Sequence, residues 1–135
     1  MLQPKRIKHR KVHRPKIKAV ATRGYYVSFG SYGLKAMASG WLTGNQLESA
    51  RRTISRCIQR GGKLWIRVFP NNPRTQKGAE TPMGGGSGSL SHFITPIEAG
   101  RIIFELDGVE KEAAYKALRL AGHKLPISTK IVERQ

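Results

Sequence analysis

The stretch T43-GNQLESARRTISRCIQRGGKLWIRVF-P70 contains both kinds of regular structure that this chain uses. Thr43-Gly-Asn-Gln46 has the form of a capping box, in which a threonine hydroxyl caps a backbone N–H and a glutamine reaches back to the cap. Leu47, Ala50, Ile54, Cys57 and Ile58 then recur at helical spacing, which predicts a helix with one buried stripe. Gly61 and Gly62 are read as its end. In Lys63–Pro70 the period changes to two: Leu64, Ile66 and Val68 fall on one face, and Trp65, Arg67 and Phe69 on the other. This predicts a strand.

Working outward, Tyr25–Phe29 alternates and is read as a half-buried strand ended by Gly30. Ser31–Gly40 is expected to be irregular. Residues 71–91 are rich in proline and glycine and lack apolar periodicity, so they read as a long loop, flanked by short strands near Glu80 and His92. Arg101–Leu106 is a further strand. A second helix runs from about Val109 to His123, packed through Ala113, Ala114, Ala117, Leu118 and Ala121, and Ile127–Val132 is a closing strand. Helices and strands mix without βαβ repetition, so the fold class is α+β. The expected organisation is a basic, disordered N-terminal extension over residues 1–23 and a single domain over 24–135.

Charge is distributed very unevenly. Residues 1–79 hold 18 Lys and Arg and one acid, Glu48, while residues 80–135 hold seven of each sign; the first part therefore carries the whole net charge of +17. Concentrated like charge opposes folding and calls for a polyanionic partner, and at a pI near 10.9 that partner is nucleic acid. The tail supplies Lys5, Arg6, Lys8, Arg10, Lys11, Arg14, Lys16, Lys18 and Arg23, and the body adds Lys35. The first helix carries Arg52, Arg56 and Arg60 at i, i+4 and i+8, roughly 6 Å apart along the axis, with Arg51 beside them and Lys63 and Arg67 following. Guanidinium forks in that row suit successive phosphates, whereas an ordinary solvated helix face interleaves acids. Tyr25, Tyr26, Trp65 and Phe69 are candidates either for stacking on bases or for the core.

Other chemistries find little support. Cys57 is the only cysteine, which excludes an internal disulfide, and it reads as a core residue. His9 and His13 lack a third ligand, so no metal or cofactor is expected. Met83-Gly-Gly-Gly-Ser-Gly-Ser89 lacks the lysine of a nucleotide-binding P-loop. It reads instead as a flexible linker or as backbone that approaches a bulky ligand. Glu105 and Asp107 project from one strand face and could form a general acid/base pair, but their place before a helix points to capping and dipole compensation. No nucleophile motif is present, and no apolar run approaches a membrane span or a secretory signal.

Several blocks together resemble a known family. They are MLQPKR at the start, VSFGSYGLKA at 27–36, QLESARR at 46–52, GGKLWIRVFP at 61–70, GRIIFELDGV at 100–109 and HKLPISTKIV at 123–132. They are collinear and similar to bacterial-type ribosomal protein L-sixteen of the large subunit. The resemblance implies a hammerhead-type α+β fold, binding to large-subunit rRNA, contact with tRNA and with neighbouring ribosomal proteins, and a role in shaping the aminoacyl-tRNA site. It implies no homo-oligomer and a ribosome of the cytoplasm or of an organelle. Lys5, Arg6, Arg51, Arg52, Lys63 and Arg67 match rRNA-facing positions. The loop Met83, Gly84, Gly85, Gly86, Ser87 and Gly88 matches the segment that points toward the peptidyl-transferase region. There the family pattern Arg-Met-Gly-Lys-Gly-Lys-Gly becomes Pro82-Met-Gly-Gly-Gly-Ser-Gly88, so three cations are missing. A free-standing RNA chaperone or regulator and a hydrolytic enzyme are the competing readings.

Overall fold

The computed structural model describes every residue except Met1, Lys18, Arg60 and Thr81. The elements in order are β1 (Tyr32–Ala36), β2 (Gly40–Thr43), α1 (Gly44–Ile58), β3 (Lys63–Ile66), β4 (Asn72–Gln76), β5 (Ser89–Ile97), β6 (Ile102–Asp107), α2 (Lys111–Gly122) and β7 (Thr129–Glu133). They form two antiparallel sheets, of order β3-β6-β1-β7 and β2-β5-β4, in one α+β domain.

The capping box forms as expected. Gln46 N–H donates to Thr43 Oγ1 at 3.2 Å, and Thr43 N–H donates to Gln46 Oε1 at 2.9 Å. Thr43 thus ends β2 and opens α1 with no linker between them. Leu47, Ala50 and Ile54 are buried, with Cys57 and Ile58 half-buried behind them. From α2 come Ala114, Ala117, Leu118 and Ala121, and the sheet contributes Leu34, Phe104 and Leu106. Each large apolar side chain buried in this way contributes about 1.5–3 kcal/mol.

Four expectations are corrected. The helix does not wait for Gly61 and Gly62: it ends at Gln59, which adopts the left-handed conformation (φ 48°) and donates its N–H to Ser55 O. Gly62 serves close approach instead, because a Cβ there would come within 2.6 Å of Asp107 O. Residues 25–29 are not a strand; β1 lies instead inside the stretch expected to be irregular, and β2 begins at its last residue, Gly40. The 71–91 loop contains β4 and the start of β5, paired with Arg74 opposite His92, so the irregular part shrinks to the described residues between Gln76 and Ser89, and Glu80 lies outside any strand. The strand from Lys63 ends at Ile66, although Arg67 N–H still bonds to Ile103 O at 2.8 Å.

The reason for the missing strand lies in β6. Its residues Ile102 to Leu106 are all buried, so both faces are covered. Helix-side residues cover one face. Residues 27–31 lie across the other, with Gly30 so close that a Cβ would meet Leu106 O at 2.6 Å. The N–H groups of Ser28, Phe29 and Gly30, which a strand would give to a neighbour, all donate to Glu105 Oε1, at 2.9, 2.7 and 3.0 Å.

The described residues of the tail between Leu2 and Ala19 form neither helix nor strand. They touch the body at intervals. Leu2 packs on the core, Val12 O accepts from Arg74, and Val20 pairs with Ala99 in an isolated parallel bridge.

Candidate nucleic-acid interface

The tail cations stand outward. Lys5, Arg6, Lys8, Arg10, Lys11, Arg14, Lys16 and Arg23 are all exposed, and among the described residues none forms an ion pair. Lys18 lies outside the described residues. Pro4 and Pro15, together with the repulsion of like charges, explain why no helix gathers this segment.

On α1 the arginines divide into two kinds. Glu48 takes Arg51 in a two-point contact, Nε to Oε2 at 3.0 Å and Nη2 to Oε1, and also accepts from Arg52 Nε at 3.2 Å. The Arg51 hydrogen bond is the main cause of a Glu48 carboxyl lowered to about 2, with Arg52 adding to it. Arg51 is thereby half-committed inside the helix. Arg52 remains 71% exposed despite its contact, and Arg56 is exposed and forms no ion pair among the described residues. These two line a shallow groove with Asn45, Ser49, Thr53, the carboxylate of Glu48 and Lys124, the last from the turn after α2. Arg60, the third member of the expected row, lies outside the described residues. Lys124 is a cation that sequence spacing alone does not place here, since only the packing of α2 on α1 brings it to the Arg52 side.

Arg67 is placed differently from the other basic candidates. Its Nη1 pairs with Glu105 Oε2, its guanidinium lies 5.0 Å from the Phe29 ring centroid, and only 19% of its side chain is exposed. Phe29 in turn stacks on Trp65 at 6.1 Å. Burial pushes the Glu105 carboxyl up, but the Gly30 N–H, Arg67 and the Phe29 N–H outweigh it and hold the group below the usual carboxylate range. Glu105 and Asp107 share a strand face as expected, yet neither caps α2. Asp107 accepts from Ser31 Oγ at 2.7 Å and from Gly108 N–H at 2.8 Å, and Glu110 stands at the cap without a side-chain bond. Both acids fasten residues 28–31 to the sheet, a role opposite to that of an accessible acid/base pair.

Lys63 is exposed at the end of β3, opposite Asp107. Lys35 is half-buried in β1 beside Tyr25 and Tyr26, both exposed aromatics. The loop joining β4 and β5 projects from the body. Met83 is fully exposed, and Gly84, Gly85 and Gly86 have φ of 116°, 74° and 89°, values that L side chains rarely adopt. Lys77 Nζ, at the start of the loop, donates to Gly84 O in its glycine run. Gly85 and Ser87 are exposed and Gly88 is half-buried.

Sequence reading missed Trp41 and Arg74. Trp41 lies between the stretch expected to be irregular and the predicted helix, Arg74 lies in the expected loop, and pairing across β5 brings them together, with the guanidinium 5.4 Å from the indole centroid.

A family model of ribosomal proteins matches the chain over residues 4–132. The chain belongs to the family described as ribosomal protein L16p/L10e. It is accordingly a structural protein of the large ribosomal subunit, and its family is not a family of enzymes. No helix among the described residues is long and apolar enough to cross a membrane.

Proposed function

We propose that the chain binds large-subunit rRNA through its tail and through the exposed Arg52–Arg56 side of α1, and that it presents the 83–88 loop toward tRNA at the aminoacyl site. The observation that carries this reading is the row of exposed tail cations without acidic partners. A lone protein gains nothing from them, whereas an RNA groove neutralises them and releases counterions. Contact is assigned to Lys5, Arg6, Lys8, Arg10, Lys11, Arg14, Lys16 and Arg23, with Lys35 and Lys63 flanking. Arg51 supports Arg52 through Glu48, and Arg67 holds the 28–30 segment and its aromatics in place. With no loop lysines, Met83 and the backbone of Gly84–Gly88 are the groups offered to tRNA.

The test is binding of the full chain to large-subunit rRNA across a salt series. The logarithm of the binding constant should fall linearly with log salt, with a slope of about −0.7 to −0.9 for each phosphate neutralised. Arg52→Glu with Arg56→Glu should lower that slope and deplete the chain from large subunits on sucrose gradients. A salt-independent affinity, or undiminished co-sedimentation of the double variant, would overturn the assignment. A wild-type chain found only in light fractions would favour a free-standing RNA chaperone.

A further inference from the structure

On the outer side of the β2-β5-β4 sheet, the tail closes over a cavity of about 410 Å³. Its walls carry Lys11 and Arg14 from the tail, Trp41 from β2, Arg74 from β4, His92 from β5 and Ser87 from the glycine loop. The register explains the gathering. Arg74 sits opposite His92, and Trp41 opposite Pro96, so strand alternation puts all three side chains on one face of the sheet.

Arg74 is held in one orientation. Its Nε donates to Pro73 O at 2.8 Å, its Nη2 to Val12 O at 2.6 Å, and its guanidinium carbon lies 5.4 Å from the Trp41 ring centroid. Among the described residues its Nη1 has no partner and no acid lines the cavity. One fixed guanidinium, two exposed tail cations beside it, an aromatic wall and no counter-charge form a seat for an anion that also carries a flat ring. The volume falls within the range of small-ligand sites.

We propose that this cavity seats one nucleotide of single-stranded RNA, with its phosphate on Arg74, Lys11 and Arg14 and its base against the Trp41–Arg74 stack. The proposal rests on the reading of the chain as an rRNA ligand and adds to it a defined point of attachment. That point joins three parts of the chain: the tail, the second sheet and the root of the glycine loop.

The chain contains only two tryptophans, Trp41 and Trp65. In a Trp65→Phe background Trp41 therefore reports alone. At constant ionic strength, the full chain is titrated with oligouridylate, uridine 5′-monophosphate, inorganic phosphate and oligoglutamate. Saturable quenching by both uridine ligands is expected, with affinity for the monophosphate reduced about tenfold or more by Arg74→Ala. Arg74→Lys, which keeps the charge and the fold but loses the planar fork, should fall between the two, and Lys116→Ala on the distant α2 surface should change nothing.

Equal quenching by inorganic phosphate or by oligoglutamate would reduce the site to a general anion sink and overturn the proposal. So would unsaturable quenching by either uridine ligand. If quenching fails while rRNA binding keeps its salt slope, the seat alone is refuted. If quenching persists while rRNA binding is absent, the wider functional reading fails instead.

Discussion

Replacing Glu105 tests the physical account of this fold most directly. Its carboxylate is fully buried, accepts three successive backbone N–H groups and pairs with Arg67. Glu105→Ala leaves the buried Gly30 N–H without an acceptor and Arg67 largely buried without a counter-charge. The Ser28 and Phe29 N–H groups are nearer solvent and can recover water. Removing one member of a buried pair costs about 3–5 kcal/mol, a large share of the roughly 5–15 kcal/mol that holds a domain together.

Glu105→Gln should cost less, about 1–3 kcal/mol. Its amide oxygen still serves the three N–H groups, but its NH2 then faces the Arg67 donor. Urea unfolding followed by tryptophan emission suits the measurement, because Trp65 sits opposite Glu105 in the β3–β6 register. The pH dependence has a definite sign. A folded carboxyl held low contributes stability above its unfolded pKa of about 4.3, and loses that contribution as pH falls through the folded value. Glu48, Asp107 and Glu133 are lowered too, so the acid limb should flatten in Glu105→Gln without vanishing. A loss under about 1 kcal/mol for Glu105→Ala, or an unchanged acid limb for Glu105→Gln, would refute the clamp.

Two further outcomes follow from local geometry. Thr43→Ala removes one half of the capping box and should cost about 0.5–2 kcal/mol in urea unfolding, while Thr43→Ser should cost little. Gly30→Ala drives a methyl to within 2.6 Å of Leu106 O, which must displace the 28–30 segment from the sheet. Amide exchange at residues 28–30 should rise in that variant before exchange in the core of β6 does.

Much of this was legible in the sequence because it follows from short-range chemistry. The Thr43–Gln46 box, the Leu47–Ala50–Ile54 stripe and the alanine face of α2 are set by residues three or four apart. What escaped depends on partners far along the chain. Tyr25–Phe29 alternates like a strand, but the N–H groups of Ser28 and Phe29 go to a carboxylate 77 and 76 residues away. β4 is disguised by Pro73, tolerated there because β4 is the edge of its sheet. Among the candidate residues, exposure of the tail cations was readable from composition. The internal duty of Arg67 was not, since only the β3–β6 register sets it against Glu105. The same distance hid the meeting of Trp41 with Arg74.

Thr43 has a mechanical consequence. It is the last residue of a strand in one sheet and the cap of the helix that bears Arg52 and Arg56. The hairpin ending in the glycine loop is laced to that strand through β5. From the root of the loop at Ser89, hydrogen-bonded backbone therefore runs without interruption through β5 and β2 into the first turn of α1. The hairpin that carries the glycines and the helix that carries the arginines are thus cast as one piece, turned at a single threonine.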